Sequence, residues 1–401
     1  MATGSLTTPE NPRTSATSLL VDWITGCGES CIAMFQSVGA LSPLVVKGYG
    51  ITLADIGLLI GLYLAPGVVV AIPGGAIAGR FGDKRIVVLG MLLMLLGGAL
   101  ITLGETWELL AAGRLVAGIG GITLNVVMSK MVVDWFAGRE ISTAMGVFIN
   151  SWPVGIALAL LILPRIADSG GLELAWLLVL AAIAVTLALF AALYRIPEGA
   201  APAQATLRIE PFPKYPLVLA GAIWGLYNAA LAMVFSFGPS MLSQRGLPLT
   251  SASSATSLFM VVASVAVPLG GILADRTGRR DAVIAVSLLS YIVLMPMTLV
   301  IPVTAVPAIF LVVGFVFGLG AGPVVGMPAN VLTPGARAFA MGVYYAIYYA
   351  WMMSVPPIAG AIADRVGRTG IVFVLGAVLL VAALVALGLF RRASPAPSTA
   401  R

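Results

Sequence analysis

The chain has 401 residues, of which 60% are apolar and 9% charged, with a net charge of +6 and a mean hydropathy of +1.06. Soluble domains carry about one quarter charged residues, so this composition excludes a water-soluble globule. The absence of histidine excludes Ser-His-Asp catalysis and His-ligated metal sites, and Lys and Arg confined to short turns exclude a nucleic-acid face.

Residues 1–17, rich in Thr, Ser and Pro, read as a tail without the basic-then-apolar pattern of a leader. Apolar spans follow over 19–43, 52–78, 86–104, 107–130, 141–163 and 173–194, each near the roughly 20 residues that cross a bilayer. The stretch 196–214, broken by Pro197, Pro202, Pro211 and Pro213, reads as a linker. Six more spans cover 215–239, 251–274, 282–301, 305–329, 337–363 and 370–390, and a polar tail runs over 392–401. The expected architecture is therefore an all-α membrane protein of twelve transmembrane helices, with one bundle over 18–195 and a second over 215–391. Arg80, Lys84, Arg85, Arg139, Arg276, Arg279 and Arg280 fall on the side shared by both ends of the chain. The positive-inside rule then places both termini in the cytoplasm of an inner-membrane protein.

The two bundles repeat each other at an offset of 196 residues. Gly75-Ala-Ile-Ala-Gly-Arg-Phe-Gly-Asp-Lys84 aligns with Gly271-Ile-Leu-Ala-Asp-Arg-Thr-Gly-Arg-Arg280, Ala144-Met-Gly-Val147 with Ala340-Met-Gly-Val343, and Ile166-Ala-Asp168 with Ile362-Ala-Asp364. One register held across most of two halves marks a duplicated unit.

Twelve spans, a duplicated half, a proline-rich middle and the turn at Gly271, Asp275, Arg276, Gly278, Arg279 and Arg280 resemble the major facilitator superfamily. The first-half copy keeps Gly75, Arg80 and Gly82 but has Gly79 where the motif has Asp and Asp83 where it has a base. Arg114, Gly118 and Gly120 resemble that family's fourth-span pattern, and Gly118–Phe136 resembles cyanate-permease-like members. The resemblance implies two pseudo-symmetric bundles that rock about a midplane site, with the basic turns gating the cytoplasmic side. It also implies a monomeric secondary carrier for a small molecule, without a cofactor.

Ionisable groups deep in a bilayer are costly and mark function by default. Glu29 lies near the midplane of span one and Arg114 within span four. Their depths differ by about 5 Å at about 1.5 Å per residue, and neither has a charged counterpart at Gly225 or Phe310. Glu29 is thus a candidate proton-coupling acid and Arg114 a candidate substrate-binding cation, the bland alternative being a buried ion pair that only fixes packing. Asp22 is a second candidate acid, nearer the inner edge. Asn125 in span four serves either a cavity or an interhelical hydrogen bond. Tyr227 and Asn228 in span seven, with Tyr345 and Tyr348 in span eleven, either line a cavity or pack. Cys27 and Cys31 read as small packing residues. These features point to a small organic anion moved with protons, the alternative being a proton-coupled exporter of amphipathic compounds. From a different class, a non-transporting sensor on the carrier fold is the rival; paired carboxylates for a membrane enzyme are absent.

Overall fold

A computed structural model describes residues 31–73, 81–135, 141–194, 211–330, 332 and 337–393. Among the described residues every regular element is helical. Span one is α1 (Cys31–Ala40) and α2 (Ser42–Tyr49), bent by 64° at Leu41. Pro43 fits the first turn of α2, where its missing N–H breaks no bond, so span one runs past its expected end at Pro43. Span two is α3 (Leu53–Leu64) and α4 (Pro66–Val70), interrupted at Ala65 just before a proline. Spans three and four are α5 (Asp83–Leu103) and α6 (Trp107–Trp135).

The next helix, α7 (Ile141–Leu193), is twice the length of a span and holds non-helical backbone at Gly170 and Gly171. That break, not Leu163, separates spans five and six, so Pro164 sits inside span five. Spans seven, eight and nine are α8 (Lys214–Gln244), α9 (Leu249–Thr277) and α10 (Arg280–Met297). Span ten divides into α11 (Val306–Gly318) and α12 (Ala321–Val325), and α13 (Arg337–Val366) and α14 (Ile371–Ala393) complete the chain. The last helix continues two residues into the expected tail. Counting the bent first pair as one span and the broken α7 as two gives twelve spans among the described residues.

The duplication is visible in the backbone. Every described glycine with positive φ has a partner 196 residues away: Gly50 with Gly246, Gly82 with Gly278, and Gly171 with Gly367. Each ends or begins a helix where a side chain would strain a left-handed turn. Packing obeys the same relation. α3 lies on α6 as α9 lies on α11, and α5 lies on α7 as α10 lies on α14. Gly118 meets the Tyr63 backbone, and Gly314 meets that of Phe259, again at offset 196. Two seams join the bundles, α3 and α4 against α13, and α7 against α9. The first spans of the two bundles also touch, with Gln36 Nε2 donating to Phe235 O (2.7 Å) and the Ser42 and Ser240 hydroxyls 2.7 Å apart.

Candidate functional site

In the first bundle the centre is built around Arg114 on α6, which is wholly buried. Its Nε donates to Leu59 O (3.0 Å) and its two terminal nitrogens to Met34 O (2.7 Å) and Phe35 O (2.9 Å). The guanidinium also lies 4.8 Å from the centre of the Tyr63 ring. One side chain thereby ties span four to spans one and two, using the fixed fork of donors that Arg carries. The Tyr63 hydroxyl in turn donates to Cys31 O (3.1 Å) and lies 3.2 Å from Cys31 Sγ, and the thiol donates weakly to Gly121 O at 3.5 Å. Beside this cluster a small cleft is lined by Cys31, Asn125, Met128, Phe148, Ser151 and Trp152, with room for little more than a water.

The second bundle contributes an aromatic ladder. Trp224 stacks on Tyr227 with centroids 5.7 Å apart, Tyr227 stacks on Phe317 at 4.1 Å, and Tyr348 lies 6.1 Å from Trp224. Along α13 the rings of Tyr344, Tyr345, Tyr348 and Tyr349 follow one another edge to face. The Tyr349 ring fills the space that a side chain at Gly67 would occupy, and its hydroxyl approaches the Asn125 side chain of the opposite bundle. The Tyr344 hydroxyl is buried with no hydrogen-bond partner among the described residues. The resulting surface offers ring faces and uncharged donors and acceptors.

Placed on this geometry, the candidate residues separate. Glu29 and Asp22, and with them any Glu29–Arg114 pair, lie outside the described residues, as do Gly75 and Arg80 of the first turn. Arg114 is enclosed by backbone carbonyls. Asn125 lines the cleft and faces Tyr349. Tyr345 and Tyr348 sit together on α13, with Tyr348 against Trp224 of its own bundle. Tyr227 is 2% exposed and donates to Phe317 O (2.7 Å), so its hydroxyl is engaged within its own bundle. Asn228 donates to Trp224 O one helical turn earlier (2.9 Å). Sequence reasoning undervalued Cys31, and the repeat holds the signal: Cys31 and Gly121 stand 196 residues before Tyr227 and Phe317, so the two bonds are the same cross-link made by different atoms.

The turn motif shows a similar exchange. In the second half Asp275 pairs with Arg280 (2.7 Å), Gly278 ends α9 in the left-handed region, and Arg276 and Arg279 are exposed; Gly271 has open space beside it. In the first half Gly82 begins α5, and the unexpected Asp83 pairs with Lys130 of span four (2.9 Å). Position 326, the counterpart of Lys130, is glycine, so a base at 279 meets no cation there.

The sequence model of the Major Facilitator Superfamily matches residues 25–253 and, in an overlapping second stretch, 218–401. The lysosomal dipeptide transporter MFSD1 of Mus musculus is 24% identical over 272 residues, covering 61% of this chain and 58% of that protein. The chain thus spans less than two thirds of that relative. A probable 4-methylmuconolactone transporter of Cupriavidus pinatubonensis (strain JMP 134 / LMG 1197) is 26% identical over 306 residues, covering 71% of this chain and 69% of the relative. A hexuronate transporter of Bacillus subtilis (strain 168) is 22% identical over 260 residues, covering 62% of each. Among solved structures, a bacterial homologue of the human lysosomal transporter Spinster, inward-facing and occupied, superposes with a TM-score of 0.75 at 17% identity, covering 95% of this chain and 99% of that one. The nucleoside transporter NupG gives 0.76 at 14% identity, covering 93% and 100%. At these identities the two structures speak to the fold alone.

Proposed function

The chain belongs to the major facilitator superfamily, and from that premise we propose that it carries a small, uncharged or amphipathic organic molecule by alternating access between its two bundles. It is an integral multi-pass membrane transporter and not an enzyme. The observation that carries the finer reading is the uncharged ring cluster of α8 and α13, which reaches the cleft-lining Asn125 through Tyr349. Trp224 and Tyr348 supply flat faces on which an apolar ring stacks, and Asn125, Tyr345 and Ser151 supply hydrogen bonds that orient it. Arg114 belongs to the frame of the first bundle in this reading, because its donors already serve three carbonyls.

The second reading is an organic anion drawn to Arg114, with protons carried by Glu29 or Asp22. It requires the guanidinium to leave Leu59, Met34 and Phe35 during transport. Orientation belongs to the proposal too: both termini cytoplasmic in an inner membrane, one chain acting as a monomer.

Purified protein in proteoliposomes, challenged with a dipeptide, a hexuronate, a nucleoside and a lactone, tests the proposal. The uncharged compounds are expected to exchange, with Trp224→Ala and Tyr348→Ala each lowering kcat/KM at least tenfold while the variants stay folded. Preference for the hexuronate with no loss in these variants transfers the case to the anion reading. Flux of none of the four, with stabilisation by one, favours a non-transporting sensor.

A further inference from the structure

At the outer end of the seam between α3 and α13, a carboxylate crosses from one bundle to the other. Asp364, on the last turns of α13, accepts the backbone N–H of Leu53 on Oδ1 (3.1 Å) and that of Ala54 on Oδ2 (2.8 Å). These are the first two residues of α3, whose N–H groups have no intrahelical partner and carry the positive end of the helix dipole. The helix already has its own capping box, in which Thr52 serves the Asp55 N–H and Asp55 serves that of Thr52. Asp364 therefore completes the cap from the opposite bundle.

The surroundings fix that carboxylate in place. A Cβ on Gly57 would stand 2.3 Å from Pro356 O, one on Gly61 2.3 Å from Met353 O, and one on Gly360 2.2 Å from Leu53 O. The two helices thus meet backbone to backbone along their outer halves. The turn after α13 is held to its own bundle by Gln244, which donates to Gly367 O (3.0 Å) and accepts from the Thr369 N–H (2.8 Å). Asp364 consequently rides on an arm rigid with the second bundle, while its partners ride with the first.

The opposite seam lacks this contact. Asp168, the counterpart of Asp364, is exposed, and α9, the counterpart of α3, has no side-chain cap. There Arg165 donates to the Ser254 hydroxyl instead (3.0 Å). On the inner side, Gly79 removes the acid of the first-half turn motif.

We propose that Asp364 is the outer latch of this carrier: its docking on the α3 N-terminus holds the outer side closed, and the bundles part on that side only when the carboxylate leaves Leu53 and Ala54. The proposal goes beyond the nature of the cargo and does not depend on it. In the open state the two N–H groups turn to water, so removing the acid favours opening without unfolding either bundle.

Hydrogen exchange of the full chain in nanodiscs, without substrate, tests it. In Asp364→Asn, nearly the same shape without the charge, peptides over 51–60 are expected to exchange about tenfold faster. Peptides over 160–170 and 249–258 on the other seam should speed up with them, because the outer side opens as a unit. Asp364→Glu should restore much of the protection, and the melting midpoint of Asp364→Asn should stay near that of the parent. Unchanged exchange overturns the proposal, and so does a change confined to the first turn of α3, which would make Asp364 a local cap. A large fall in melting midpoint with exchange raised throughout the chain would equally overturn it.

Discussion

A buried guanidinium in a membrane span invites a functional reading, and at position 114 the neighbours supply a structural one as well. Three charge-assisted hydrogen bonds to helix carbonyls and a ring face leave the group framed on every side that the structure describes. Arg114→Met loses these bonds and their geometry together, a cost on the order of 3–5 kcal/mol. The melting midpoint in detergent should fall sharply, and Arg114→Lys, a point charge without the planar fork, should recover only part of it. A variant that melts normally yet fails to transport would return Arg114 to the substrate. The sequence located this residue as exceptional but not its partners, since backbone carbonyls leave no trace in residue identity. Asp83 is a parallel case: as a motif departure it looked like a defect, and it is matched by Lys130 forty-seven positions on.

Helices here are shaped by where the chain lets backbones touch. Gly118 on α6 admits the Tyr63 backbone at a distance where an added Cβ would be 2.2 Å from Tyr63 O, whereas a Cβ on Gly48 meets nothing within 4 Å. Gly118→Val should therefore lower both the yield of folded protein and its melting midpoint, while Gly48→Ala leaves both near the parent values; equal behaviour would remove close packing as the reason for glycine at 118. Span boundaries set by apolar runs were legible, and those set by backbone geometry were not. The sequence marks Leu163 as the end of span five because Pro164 and Arg165 follow. The helix runs on through Pro164, and the real stop is the non-helical backbone at Gly170 and Gly171. Likewise Pro43 looks like a terminus and is instead the first turn of α2 after a 64° bend.

At the scale of the molecule the repeat is what sequence reveals best, because an offset needs only residue identities; the paired left-handed glycines and paired helix contacts follow from it. The two functional readings proposed above draw on what breaks the symmetry: the ladder on α8 and α13, the cleft beside Asn125, and the unmatched acid Glu29. If Glu29 couples transport to protons, Glu29→Gln should abolish the acceleration of uptake by an inward proton gradient while exchange at equal pH persists; undiminished gradient dependence would end that assignment. A further asymmetry follows from the pair Cys31–Gly121 and Tyr227–Phe317. Sulfur at 3.5 Å makes a feeble strut and phenol at 2.7 Å a firm one, seconded by Ser287 on the same carbonyl oxygen. The weak thiol is offset by Arg114, whose guanidinium binds two carbonyls of the same first span, whereas its counterpart Phe310 brings no such bond, so each half fastens its first span to its fourth by a different device.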